Sequence, residues 1–109
     1  FVTMAPGFRR WQKALDVPTY KISLKPHWLE RRPNVTGSGG GYRMPLKKVG
    51  EFLVQRYEDA EGRPWFAVLV EDTNGVRLPV VEELESPGFG LAIAETFNRG
   101  LATLRAHLL

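Results

Sequence analysis

Asp72-Thr73-Asn74-Gly75 is the feature that most narrows the fold. It stands between two apolar runs, residues 65–71 and 76–81. Asn followed by Gly tolerates positive φ at both central positions of a type I′ turn, whose twist matches that of paired antiparallel strands. The two runs therefore read as a hairpin. Asp59-Ala60-Glu61-Gly62 supplies turn residues ahead of it. Residues 49–57 read as a further strand, with Gly50 marking a bulge or bend. The product is a meander of three antiparallel strands. Pro79 has no N–H to give to a ladder, so its strand belongs at an edge or stops early.

A helix is expected after the meander. Ser86 is a natural N-cap and Pro87 suits the first turn. Glu82, Glu83 and Glu85 precede it, where the helix dipole favours negative charge. Ile93, Phe97, Leu101, Leu104 and Leu108 recur at helical spacing, an apolar stripe fit to cover one face of a sheet. Gly100 weakens this helix by about 1 kcal/mol or divides it.

Gly37-Ser38-Gly39-Gly40-Gly41 separates this part from an unlike N-terminal one. Such a run has almost nothing to pack and behaves as a tether. It reads as an engineered linker, joining segments separate in nature or replacing a longer loop. The chain then comprises a basic, aromatic-rich segment 1–36, a linker 37–41 and an α+β domain 42–109. Charge divides in a similar way. Residues 1–48 hold ten basic side chains against two acidic ones, a net +8, and residues 49–109 hold five against ten, a net −5. Either the halves complement each other or the basic half faces an external anion.

Within the basic segment, Phe8, Trp11 and Leu15 share one helical face, so residues 8–15 read as a short helix that ends before Pro18. In residues 19–25, Tyr20, Ile22 and Leu24 alternate with Lys21, Ser23 and Lys25, the pattern of a half-buried strand with a basic outer face. Residues 27–36 read as irregular or as one weak turn. On its own, 42–109 encloses a small core. A fourth strand supplied by residues 19–25, or a homodimer, would complete it. The expected class is α+β, an antiparallel three-stranded meander with a fourth strand from the N-terminal segment, covered by the C-terminal helix.

Few residues carry reactive chemistry. With no Cys there is neither disulfide nor thiolate site. No apolar run nears the ~20 residues of a membrane span, and the expected place is intracellular, in the cytoplasm. His27 and His107 are the sole histidines, and Ser23, Ser38 and Ser86 lie on no recognisable nucleophile turn. Gly88-Phe89-Gly90 lacks the third glycine of a dinucleotide loop, since position 93 is Ile. No enzyme, cofactor or metal site is expected.

The positive signal is cations interleaved with aromatics. Arg9, Arg10, Trp11, Lys13, Lys21, Lys25, Trp28, Arg31 and Arg32 are the candidate contacts. Such residues bind phosphates and stack on bases, and they also anchor protein interfaces. The leading expectation is a protein–protein assembly module, its basic segment docked on its own acidic domain or on a partner protein. Nucleic-acid binding by that segment is the second, and a small enzyme with a site shared between chains the third. The order of elements in 49–109 resembles small single-strand-binding dimers of the transcription-coactivator kind. That resemblance implies a fold and transfers no residue.

Overall fold

A computed structural model describes residues 13–16, 20–34 and 39–108. Seven strands and one long helix follow in order: β1 (Lys13–Asp16), β2 (Tyr20–Leu24), β3 (Trp28–Pro33), β4 (Tyr42–Pro45), β5 (Val49–Glu58), β6 (Pro64–Asp72), β7 (Arg77–Leu84) and α1 (Pro87–Leu108). A single 3-10 turn, Leu46–Lys48, joins β4 to β5. The fold is α+β, with a β-meander packed against a helix. Strands β1–β4 form one antiparallel sheet and β5–β7 another, each in sequence order. The chain divides into two compact units, Phe1–Val49 with Arg99–Leu109, and Gly50–Asn98. Among the described residues no helix is long and apolar enough to cross a membrane.

In the unit Gly50–Asn98 the meander is built as expected, but its turns are not type I′. Asp72 and Val76 bracket a three-residue loop. The Gly75 N–H donates to Asp72 O at 3.0 Å and the Asp72 N–H to Val76 O at 2.8 Å. Only Gly75 takes a positive φ there, 84°, while Asn74 does not. Asp72 Oδ1 accepts from the Asn74 and Val76 N–H groups at 2.8 and 2.9 Å. The turn joining β5 to β6 repeats this pattern. Asp59 Oδ1 accepts from the Glu61 and Arg63 N–H groups at 3.0 and 2.8 Å, and Gly62 has φ 81°. The operative signal is Asp with Gly three residues on: a carboxylate that satisfies the loop's N–H groups and a glycine free to turn left-handed.

Helix α1 is continuous through Gly100, which is buried. Ser86 starts it, its Oγ accepting from the Phe89 N–H at 3.4 Å. Ile93, Phe97, Leu101 and Leu104 of the stripe are all buried. Phe97 stacks on Phe52 of β5, centroids 5.2 Å apart. Beside this pair the Asn98 amide takes both backbone groups of Phe52. Its Oδ1 accepts from Phe52 N at 2.8 Å and its Nδ2 donates to Phe52 O at 2.9 Å. One side chain thus does on an edge strand what a neighbouring strand would do. Gly50 marks close approach of strands, not a bend: a Cβ there would lie 2.6 Å from Glu71 O. Pro79 lies on β7, an edge strand of the three.

The other unit corrects three expectations. First, Lys13–Asp16 is a strand, not the end of a helix, and residues 8–12 lie outside those described. A helix of two turns is marginal in water, and the ladder to β2 satisfies the same backbone groups. Second, Trp28–Pro33 is a strand where an irregular segment was expected. Its alternation is disguised because Arg31, at 2% exposure, occupies an inward position beside Leu29 at 0%. Third, β2 does not join the meander. It pairs with β1 and β3, the two strands that the pattern concealed. Ile22, Leu24, Leu29 and Met44 form the buried face of this sheet.

The glycine run falls in the connection between β3 and β4, which pair across it with Arg31 opposite Tyr42. Residues 35–38 lie outside those described. Gly40 has φ 89°, and a Cβ on it would lie 2.4 Å from the Tyr20 hydroxyl. That hydroxyl donates to Gly39 O at 3.2 Å. Gly40 therefore has a steric reason of its own to be glycine.

Candidate interaction surfaces

Cross-strand register assigns the faces of the β1–β4 sheet. Residues directly opposite share a face, so Lys21 with Arg32, and Ser23 with Glu30 and Arg43, project away from the Ile22–Arg31 side. Glu30 organises this outer face. Arg43 Nη2 reaches Glu30 Oε2 at 3.0 Å and Lys25 Nζ reaches Oε1 at 3.4 Å. The hydrogen bond from Arg43, ahead of the charge of Lys25, holds the Glu30 carboxyl below its ordinary range, against the opposing effect of burial. The Arg43 guanidinium also lies over Trp28, 4.3 Å from the ring centroid. A carboxylate and an indole thus hold one arginine between them.

On the opposite face Arg31 is buried with its guanidinium 3.6 Å from the centre of the Tyr20 ring. A charge so removed from water is costly unless its surroundings replace hydration, and the face of a phenol ring supplies part of that. The candidate contacts therefore separate. Arg31 belongs to the interior, Lys25 is paired with Glu30, and Trp28 is stacked under Arg43. Lys21 and Arg32 alone among the candidates with described side chains are fully exposed. They stand opposite each other as like charges, a mildly unfavourable arrangement. Lys13 sits on β1 opposite Leu24. Arg9, Arg10 and Trp11 lie outside the described residues.

The β5–β7 sheet carries a groove that the sequence reading did not single out. Its volume is about 370 Å³. Gln55 and Tyr57 of β5 and Trp65, Ala67 and Leu69 of β6 line it, with Arg77, Pro79 and Glu82 of β7 on the far side. Strand alternation sets this face. Phe52 faces α1, where it stacks on Phe97, so Gln55 and Tyr57 turn the other way. Tyr57 and Trp65 stack on each other, centroids 4.6 Å apart and planes 18° from parallel. Both stay half-buried.

Two register shifts in β7 shape the far wall. Val68 pairs with Val81 while Leu69 pairs with Pro79, so one extra residue, Val80, is accommodated between them. Between Val81 and Leu84 a second irregularity contains Glu83 at φ 59°. A side chain in that left-handed region costs about 1–2 kcal/mol. Such bulges re-aim neighbouring side chains, and here Glu82 is turned to the groove. Across the opening, Arg77 Nε is held by Glu71 Oε2 at 2.9 Å, and its Nη1 by Gln55 Oε1 at 3.3 Å.

The unit Gly50–Asn98 has three arginines against ten carboxylates, a net −7. Each arginine already has an acid beside it: Arg56 with Glu58 at 3.0 Å, Arg63 with Asp59 at 3.2 Å, Arg77 with Glu71 at 2.9 Å. The remaining acids leave the unit with a strong negative field. Compared with known proteins, the chain matches no family model, no curated protein and no solved structure.

Proposed function

We propose that this chain is a non-enzymatic module for protein–protein assembly, and that the groove on the β5–β7 sheet receives the partner. The observation that carries the reading is the groove itself. It joins an apolar floor, Ala67 and Leu69, to a stacked Tyr57–Trp65 pair and a polar rim. Aromatic anchors within a polar rim are what protein interfaces are made of. The basic segment supports the same reading from another side. Most of its described cations and rings are engaged inside the fold, and the β3–β4 ladder ties that segment to the first strand after the glycine run.

A second reading keeps nucleic acid as the ligand, on the exposed Lys21 and Arg32. It has two fully exposed cations and no free ring beside them, since Trp28 is covered by Arg43.

Selection from a random peptide library tests the first reading. Wild-type protein should enrich peptides whose amide chemical-shift footprint centres on Gln55, Tyr57, Trp65 and Arg77. Trp65→Ala, checked by a melt to be folded, should lose them. Enriched peptides that bind Trp65→Ala equally well, with a footprint elsewhere, would refute the proposal.

A further inference from the structure

The molecule contains its own example of how it recognises a guanidinium. In the β1–β4 sheet, Arg43 lies with its charge 4.3 Å above Trp28 while bonding Glu30 at 3.0 Å. An aromatic face and a carboxylate suit a guanidinium because its planar cation stacks and donates hydrogen bonds at once. The groove on the β5–β7 sheet presents the same two elements on one wall and the other, Trp65 with Tyr57 and, facing them, Glu82. Among the described residues no arginine lies over either ring. Arg77, the groove's own cation, is directed instead to Glu71 and Gln55.

Resting on the reading of the groove as a protein-docking site, we propose its partner chemistry: an extended protein segment that inserts an arginine. The guanidinium stacks on Trp65 and faces Glu82, and the aliphatic stem covers Ala67 and Leu69. Charge complementarity selects a basic segment, since the unit carries −7 and its three arginines are each beside an acid. The volume, about 370 Å³, takes one or two side chains, not a folded surface. Lysine is a poorer fit than arginine: its compact, strongly hydrated ammonium does not stack, so the ring adds less.

The test uses fluorescein-labelled synthetic decapeptides carrying two arginines among alanine and glycine, with matched peptides bearing lysine or glutamate instead. Anisotropy titrations against the full chain should show binding of the arginine peptide. The lysine peptide should bind about fivefold more weakly, and the glutamate peptide should not bind. Glu82→Gln should weaken the arginine peptide, and Trp65→Phe should retain more binding than Trp65→Ala. Equal binding of the arginine and lysine peptides overturns the proposal without touching the protein's fold. So does undiminished binding to a Trp65→Ala protein. If the random library instead yields arginine-free peptides that depend on the groove, this inference falls and the assembly-module reading stands. If neither arginine peptides nor the library yields a groove-dependent binder, both fall.

Discussion

The two sheets put similar side chains to different use. In the β1–β4 sheet, aromatic rings and cations meet each other: Tyr20 with Arg31, and Trp28 with Arg43 and Glu30. In the β5–β7 sheet, the rings meet each other, Tyr57 on Trp65, while the arginines go to acids. Composition alone marks the first region as a nucleic-acid surface and the second as an ordinary acidic domain. Geometry separates a cation or ring already engaged within the fold from one still able to engage something else. A tally of charges cannot make that distinction, because an arginine over a ring and an arginine in water count the same.

The largest expected contrast comes from paired substitutions. Arg31→Ala removes a buried side chain and uncovers the Tyr20 ring, and should cost about 2–4 kcal/mol of stability. Trp65→Ala removes a half-buried ring from an open groove and should cost about 1–2 kcal/mol, with its main effect on partner binding. Denaturant melts of the two variants decide this. Equal losses would mean that Trp65 serves the fold as much as Arg31 does.

A smaller effect is expected at the edge of β5. Asn98→Ala leaves the Phe52 N–H and C=O without their amide, a loss of about 1–3 kcal/mol. Hydrogen exchange at Phe52 should accelerate while the β6–β7 ladder stays protected. Unchanged exchange at Phe52 would show that the clamp is incidental.

The smallest effect is electrostatic. Glu30 has its folded-state pKa lowered by Arg43 and Lys25. The stability it contributes is therefore complete above the ordinary glutamate range and is lost as pH falls through the depressed value. Between neutral and mildly acidic pH, wild type should lose slightly more stability than Glu30→Gln, by well under 1–2 kcal/mol on the scale of partly exposed ion pairs. Parallel pH dependence in the two proteins would remove Glu30 from the account.

These comparisons also show what the sequence made legible. The meander, the edge position of Pro79, the Ser86 cap and the helix stripe were readable because each rests on local chemistry or an unbroken period. Strand β3 was hidden because Arg31 stands where an apolar residue would complete the alternation of Leu29, Arg31 and Pro33. With β3 missing, β2 had no visible partner and was assigned to the meander. Strand β1 lost to a helical pattern because its four residues are too few to show a period. The groove could have been anticipated in part. Tyr57 and Trp65 flank the Asp59–Gly62 turn, and the alternation that sends Phe66 inward sends Trp65 outward. Glu82 could not have been, since two irregularities in β7 decide which way it points.

The central claim is that the ligand surface is the groove of β5–β7 and not the cationic face of β1–β4. Amide chemical-shift mapping of the full chain, titrated in turn with a single-stranded oligonucleotide and with a library-selected peptide, tests it most directly. The account predicts shifts at Gln55, Tyr57, Trp65 and Arg77 with the peptide, and none at Lys21 and Arg32 with the oligonucleotide at physiological salt. Salt-sensitive shifts at Lys21 and Arg32 with the oligonucleotide, and silence in the groove with every peptide, would contradict it.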